Sequence, residues 1–146
     1  EELSLLQFVE TALGFPGVED VLSGRGLERV YAWRRKQAGD PAEQRAADIM
    51  AACADGSDPA AVEAVKWFVH ILGTVAGNLS LIHLPFGGVF LIGGVARAVT
   101  PYFEHFGFTD SFRDKGRFSG FMMNFTVSMI EDDFAALNGL ASHLTE

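Results

Sequence analysis

The chain has 146 residues, 49% of them hydrophobic and 21% charged, with a net charge of −8. That is enough apolar material for one domain with a core, and it is not the composition of a disordered chain. The acidic balance argues against nucleic acid, whose phosphates need clustered Lys and Arg, and the single Cys excludes an internal disulfide and fits a reducing compartment.

The chain opens on Glu1-Glu2-Leu3, with no initiator Met and no basic-then-apolar leader, which reads as a piece of something longer. Glu1 to Leu13 carries Leu5, Leu6, Phe8, Val9, Ala12 and Leu13 at helical spacing, and Gly14 and Pro16 stop it. Gly17 to Gly24 is a connector, and Ser23 or Gly24 is placed to cap a helix that buries Leu27, Val30 and Tyr31. The basic run Arg34-Arg35-Lys36 falls at its end, where it complements the helix dipole. Asp40-Pro41-Ala42-Glu43 has the form of a helix start, with Asp40 as cap. The helix it predicts buries Ala46, Ala47, Ile49, Met50 and Cys53, the last as core filler. Asp58-Pro59 starts the longest helix, which runs to His83. Gly73 and Gly77 lie on one of its faces and let another backbone come close, as in a helix lying across a sheet.

Pro85 then leads into Phe86–Ile92, an uncharged run that predicts a strand covered on both faces. Gly93-Gly94 follows, and a short helix begins at about Val95. A strand, a glycine pair and a helix N-terminus form a nucleotide-binding corner, although such a pair is more often only a turn. Thr100-Pro101 predicts another helix, ended by Gly107, and Thr109-Asp110 one more, ended by Gly116. Phe125–Ile130 predicts a second strand, and Glu131-Asp132-Asp133 an acidic loop with Asp133 capping a last helix. Leu137, Leu140, Ala141 and Leu144 form that helix's expected buried stripe. Two strands with a helical connection should be parallel and right-handed, and so few strands imply further sheet upstream. The uncharged run from Trp67 to Ala96 raises a membrane reading, which His70, Asn78, His83, Pro85 and the glycines argue against.

Four stretches carry a family resemblance. Glu19-Asp20-Val21-Leu22-Ser23-Gly24, with Gly26-Leu27, is similar to the Glu-x-Val-Leu-Ser-Gly-Pro-Gly-Leu segment of bacterial glucokinases, within the actin-like sugar-kinase superfamily. Gly77-Asn78-Leu79 followed by Phe86–Val95 resembles their Gly-Asn-Leu helix and adenosine-side strand, and Asp114-Lys115-Gly116-Arg117-Phe118 their Asp-Lys-Gly-Arg-Phe segment. The closing strand and helix agree in kind and spacing.

The resemblance implies an α/β fold: residues 1–146 as the mostly helical C-terminal part of an actin-like (ribonuclease H-like) large domain, with two parallel strands and a right-handed crossover. It implies transfer of phosphate from ATP, with Mg2+, to the 6-hydroxyl of glucose, in a cytoplasmic and homodimeric enzyme. Glu19 maps onto a carboxylate that binds sugar hydroxyls, a task suited to an ionised acceptor, although its residue type alone suggests an exposed surface position. Gly93, Gly94 and Val95 map onto the adenosine side, with the Ser23-Gly24 turn as a further wall. The catalytic base and phosphate loops fall upstream of this chain, so the chain alone should not catalyse.

Arg25 replaces the family's usual Pro and is expected to put a charge near the cleft, and Asp133-Phe134-Ala135 replaces its Asn-Pro-Gly. Asp114-Lys115-Gly116-Arg117 reads as a helix end with a salt bridge. No metal site is expected: the acidic triplet reads as a solvated loop, His70 and His83 as core or helix-end residues without a carboxylate partner at metal spacing, and His105 and His143 as exposed. The competing reading is a non-catalytic oligomerisation or regulatory module built on a sugar-kinase fold.

Overall fold

The computed structural model of the chain describes residues 1–132 and 134–145, with all of their side chains except those of 11–13 and 145. The elements run α1 (Glu2–Leu13), α2 (Gly24–Gln37), α3 (Ala46–Asp55), α4 (Pro59–His83), β1 (Val89–Ile92), α5 (Gly94–Val99), α6 (Phe108–Arg113), β2 (Val127–Ile130) and α7 (Ala135–Thr145). Short 3₁₀ turns at Val18–Asp20, Thr100–Tyr102, Gly116–Phe118 and Phe121–Asn124 fill the joints.

The long helix α4 is the axis. Asp58 caps it by accepting the Ala60 N–H at 2.8 Å, and Pro59 takes the first turn, where no N–H is needed. Its 25 residues make a rod of about 37 Å. By length and composition α4 could cross a membrane. Here α2, α3 and α6 pack around it, burying Val65, Phe68, Val69 and Ala76. Gly73 and Gly77 do admit a backbone, but it belongs to α6 and not to a sheet. A Cβ on Gly73 would lie 2.7 Å from the Phe108 carbonyl oxygen, and one on Gly77 2.3 Å from that of Phe112. Only glycine allows this crossing.

α2 contributes Leu27, Val30, Tyr31 and Trp33 to the core, and α1 adds Leu5 and Val9. The Trp33 ring meets Trp67 edge-on at 5.6 Å and donates its Nε1–H to Ser4 Oγ at 3.2 Å, tying α1, α2 and α4 together. Leu6, expected in the α1 stripe, is half exposed. The side chains of Ala12 and Leu13, expected there too, and the whole of Asp133, expected to cap the last helix, are not described. The basic run at the end of α2 is a junction: Arg34 pairs with Glu1 and Glu63, Arg35 with Asp40 and Asp58.

Several expected boundaries move. Asp40 does not cap α3, because its carboxylate is drawn back to Arg35. The helix starts at Ala46, whose N–H donates to Glu28 Oε1 on α2 at 3.0 Å. Thr100-Pro101 forms one 3₁₀ turn continuing from α5, not a separate helix. The segment after α4 turns at Phe86–Gly88, with the Gly88 N–H on the Pro85 carbonyl at 2.9 Å, so β1 begins at Val89. β2 likewise begins at Val127.

The two strands are parallel, in register from Val89↔Val127 to Ile92↔Ile130, and the chain between them passes through α5 and α6. Leu91 and Val127 pack against the core, whereas Phe90 and Ile92 are 59% and 48% exposed. The expected cover on both faces of this strand is therefore present on one, because no described element lies over Phe90 and Ile92. The same holds for α7, where Leu137, Leu140 and Leu144 keep their helical spacing but are exposed, and Ala141 with them.

Candidate functional site

Gly93 joins β1 to α5 with φ at 110°, a backbone region closed to side-chain-bearing residues except at a cost. A Cβ added to Gly93 or to Gly94 would meet nothing within 4 Å, so this corner is open and not plugged by side chains. Across from it, Ser23 starts α2, its Oγ accepting the Gly26 N–H at 3.0 Å. The walls come together where a Cβ on Gly24 would lie 3.7 Å from Val95 Cγ2.

Between them is a cleft of about 350 Å³ bounded by Ser23 and Gly24 on one side and Gly93, Gly94 and Val95 on the other. That volume falls within the usual range for a small-molecule site. Leu22, Phe68, Leu72 and Leu91 form its apolar floor. All five residues expected on the nucleotide side thus share one cavity. Phe68 and Leu72 reach this floor from α4, more than twenty positions away from the glycine pair in sequence, so nothing local marks them as part of the site.

Glu19 does not line this cleft. It stands exposed on the 3₁₀ turn four residues before Ser23. The turn separates two cavities: Leu22 and Ser23 face the cleft, while Val18 and Val21 face a larger groove of about 550 Å³ between α1 and α4. That groove is lined by Leu5, Leu6, Val9 and Ile71, with Glu2, His70 and Thr74 as its few polar neighbours. Its size exceeds the cleft's, but it holds none of the expected site residues.

A family model described as Glucokinase matches residues 1–146. The chain belongs to the glucokinase family. It is 37% identical over 143 residues to a glucokinase of Mesorhizobium japonicum, covering 97% of this chain and 42% of that protein. It is 33% identical over 144 residues to a glucokinase of Neisseria meningitidis, covering 98% of this chain and 44% of that one. The crystal structure of a glucokinase from an Antarctic psychrotroph superposes with a TM-score of 0.89 at 26% identity, covering 99% of this chain and 45% of the other. The chain therefore spans under half the length of the glucokinases it matches.

Against the glucokinase pattern, Arg25 was expected near the cleft. It points away, into a separate depression with Phe8, Glu28 and Arg29. The Asp114–Arg117 segment forms no salt bridge among the described residues, although one was expected. Lys115 Nζ instead donates to the Ser111 carbonyl at 3.1 Å, and burial pulls its pKa down against the opposing pull of Asp114. His70 has one carboxylate neighbour, Glu2, which belongs to a contact between helices. Its Nε2 lies 3.6 Å from Glu2 Oε1, and its Nδ1 is 2.7 Å from Ser111 Oγ, which also donates to the Gly107 carbonyl. That arrangement ties α1, α4 and α6 together. His83, His105 and His143 are exposed. Among the described residues no group of three His, Cys, Asp or Glu is placed to hold a metal ion. Cys53 is buried, its thiol pKa raised by that burial, which fits core packing and not nucleophilic chemistry.

Proposed function

We propose that this chain is the C-terminal part of the large domain of an ATP:glucose 6-phosphotransferase. On this reading the fold is actin-like and ribonuclease H-like, and α5 and α6 belong to a right-handed crossover from β1 to β2. The observation that carries the proposal is the single cleft uniting Ser23 and Gly24 with Gly93, Gly94 and Val95. The open Cβ positions of Gly93 and Gly94 leave room for a ribose and base to lie against the backbone, and the floor of Leu22, Phe68, Leu72 and Leu91 suits an apolar ring face.

The chemistry moves the γ-phosphoryl group of ATP to the 6-hydroxyl oxygen of glucose. The bond from the γ-phosphorus to the β–γ bridging oxygen breaks, ADP leaves, and the hydroxyl proton passes to a base. Mg2+ bound with ATP would supply charge neutralisation for the transfer, and none of the residues assigned a role in this chain is a ligand to it. The base and the phosphate loops belong to the part of the glucokinases that this chain does not span, so the chain by itself is inactive. Its own residues hold adenosine in the cleft and, through Glu19, accept hydrogen bonds from sugar hydroxyls. Such catalysis rests on positioning more than on covalent chemistry. The enzyme would work in the cytoplasm as a homodimer.

The test is glucose-dependent release of ADP by the full-length protein, with Glu19→Gln as the diagnostic variant. Losing one charge-assisted hydrogen bond should raise the glucose KM roughly 10- to 100-fold and leave the ATP KM nearly unchanged. A full-length protein with no such activity overturns the assignment, and an unchanged glucose KM removes Glu19 from it. A second reading, a non-catalytic association module, draws on the exposed Phe86, Phe90 and Ile92 at the sheet. It predicts a stable oligomer that releases no ADP.

A further inference from the structure

The turn that carries Glu19 is closed by one carboxylate and one guanidinium. Asp20 Oδ2 accepts the Gly17 N–H at 2.8 Å, and Asp20 Oδ1 takes Arg29 Nη1 at 3.2 Å. The same Nη1 reaches the Asp20 carbonyl oxygen at 3.1 Å. Arg29 sits on α2, the helix whose Ser23 start forms one wall of the cleft. Gly26 locks the other end of the turn: a Cβ there would lie 2.1 Å from the Val21 carbonyl oxygen. The Arg29 and Asp20 side chains are only 25% and 27% exposed.

Two adjacent carboxylates thus have different fates. That of Asp20 is committed to the turn on both oxygens, while that of Glu19 stands exposed. A carboxylate that must accept bonds from particular sugar hydroxyls needs its backbone fixed to within about 0.5 Å. A turn of three 3₁₀ residues supplies little rigidity of its own. We propose that Arg29, acting through Asp20, is a positioning residue that sets the direction of the Glu19 carboxylate, and so tunes affinity for the sugar. This rests on the reading of Glu19 as a sugar ligand. Arg29 never touches the sugar: it acts by anchoring the Glu19 turn to the same helix that walls the nucleotide cleft.

The experiment uses the full-length enzyme with Arg29→Ala, Arg29→Lys, Glu19→Gln and the double variant Glu19→Gln/Arg29→Ala. Arg29→Ala should raise the glucose KM about fivefold, the upper range for losing a partly exposed ion pair, with the ATP KM within about twofold of the parent. Arg29→Lys, which keeps the charge, should recover part of that loss. The double variant should match Glu19→Gln alone, since there is then no carboxylate to aim. Asp20→Asn weakens the same clamp while keeping an acceptor for Gly17, and it should shift the glucose KM in the same direction if Arg29→Ala fails to fold. The proposal is overturned if Glu19→Gln raises the glucose KM and the clamp variants do not. It is equally overturned if Arg29→Ala multiplies the effect of Glu19→Gln. If Glu19→Gln itself changes nothing, the sugar-ligand reading has failed, and the role given to Arg29 goes with it.

Discussion

The substitution Gly94→Val separates the cleft's function from its folding. Gly94 opens α5 without a positive φ, and a Cβ built on it meets nothing within 4 Å. The fold therefore has no steric reason to resist a side chain, and Val in a helix is better than Gly by a few tenths of a kcal/mol. The isopropyl group would instead project at the cleft that Gly94 lines with Ser23, Gly24 and Val95. In a shaped pocket even one misplaced methylene costs about 1–3 kcal/mol, or 10- to 200-fold. In the full-length enzyme, Gly94→Val should thus raise the ATP KM by at least about tenfold, with Gly94→Ala intermediate and the glucose KM within about twofold. Steady-state kinetics with each substrate varied in turn gives both constants, and a thermal melt reports the fold. An ATP KM within about twofold of the parent, in a variant with unchanged Tm, refutes the placement of adenosine against this corner.

Gly77→Ala should do the reverse. Its Cβ would stand 2.3 Å from the Phe112 carbonyl oxygen and 2.6 Å from Lys115 Cε. The lysine can swing aside, but the carbonyl cannot. Overpacking of about 1–3 kcal/mol, offset by about 1 kcal/mol of helix propensity, leaves a net loss that lowers Tm without changing either KM; a Tm equal to the parent's would mean that α4 and α6 are not in this contact. Asp58→Ala should destabilise by about 1–2 kcal/mol in denaturant melts by removing the cap of α4. For Asp58 itself, burial pushes the carboxyl pKa up, but bonds from Tyr31 and the Ala60 N–H, with the Arg35 charge, outweigh it and hold the pKa below the usual range. Because the folded pKa is the lower one, this stabilisation is full above the ordinary carboxylate pKa and is lost as pH falls through the folded value. Asp58→Asn should flatten the acid side of the stability profile, and an unchanged acid limb counts against the cap as its source.

What the sequence disclosed was mostly what neighbouring residues settle among themselves. The bounds of α4 were legible because Asp58, Pro59 and Pro85 punctuate them locally. Ser23 was legible as a cap for the same reason. The start of α3 was not, because its capping group is Glu28, on another helix, while the Asp that looked like a cap is held by Arg35. The candidate site divides in the same way. Gly93, Gly94 and Val95 announce themselves as consecutive residues between a strand and a helix. The hold of Arg29 on Asp20 spans nine positions and becomes visible only once α2 folds back over the turn.

The two largest misreadings, β1 and α7, point in one direction. Phe86–Ile92 has no polar residue on either face, yet only its Val89 and Leu91 side is covered. The α7 leucines keep a core helix's spacing yet stand exposed among the described residues. A strand that met solvent on one face would be expected to alternate apolar with polar, as antiparallel sheets do, whereas a parallel strand within a larger sheet is apolar throughout. The sequence of β1 is thus suited to burial on both sides, and the chain spans only 42% to 45% of the three glucokinases compared above. The proposed reading reconciles these facts: the bare face of Phe90 and Ile92 and the stripe of α7 are surfaces of a larger domain's interior. On that account the apolar pattern here records the surroundings of the strand in the whole enzyme. Ile92 belongs to both places: it stands on the bare face and also lines the cleft beside Gly93, so the surroundings that cover the strand would also border the cleft.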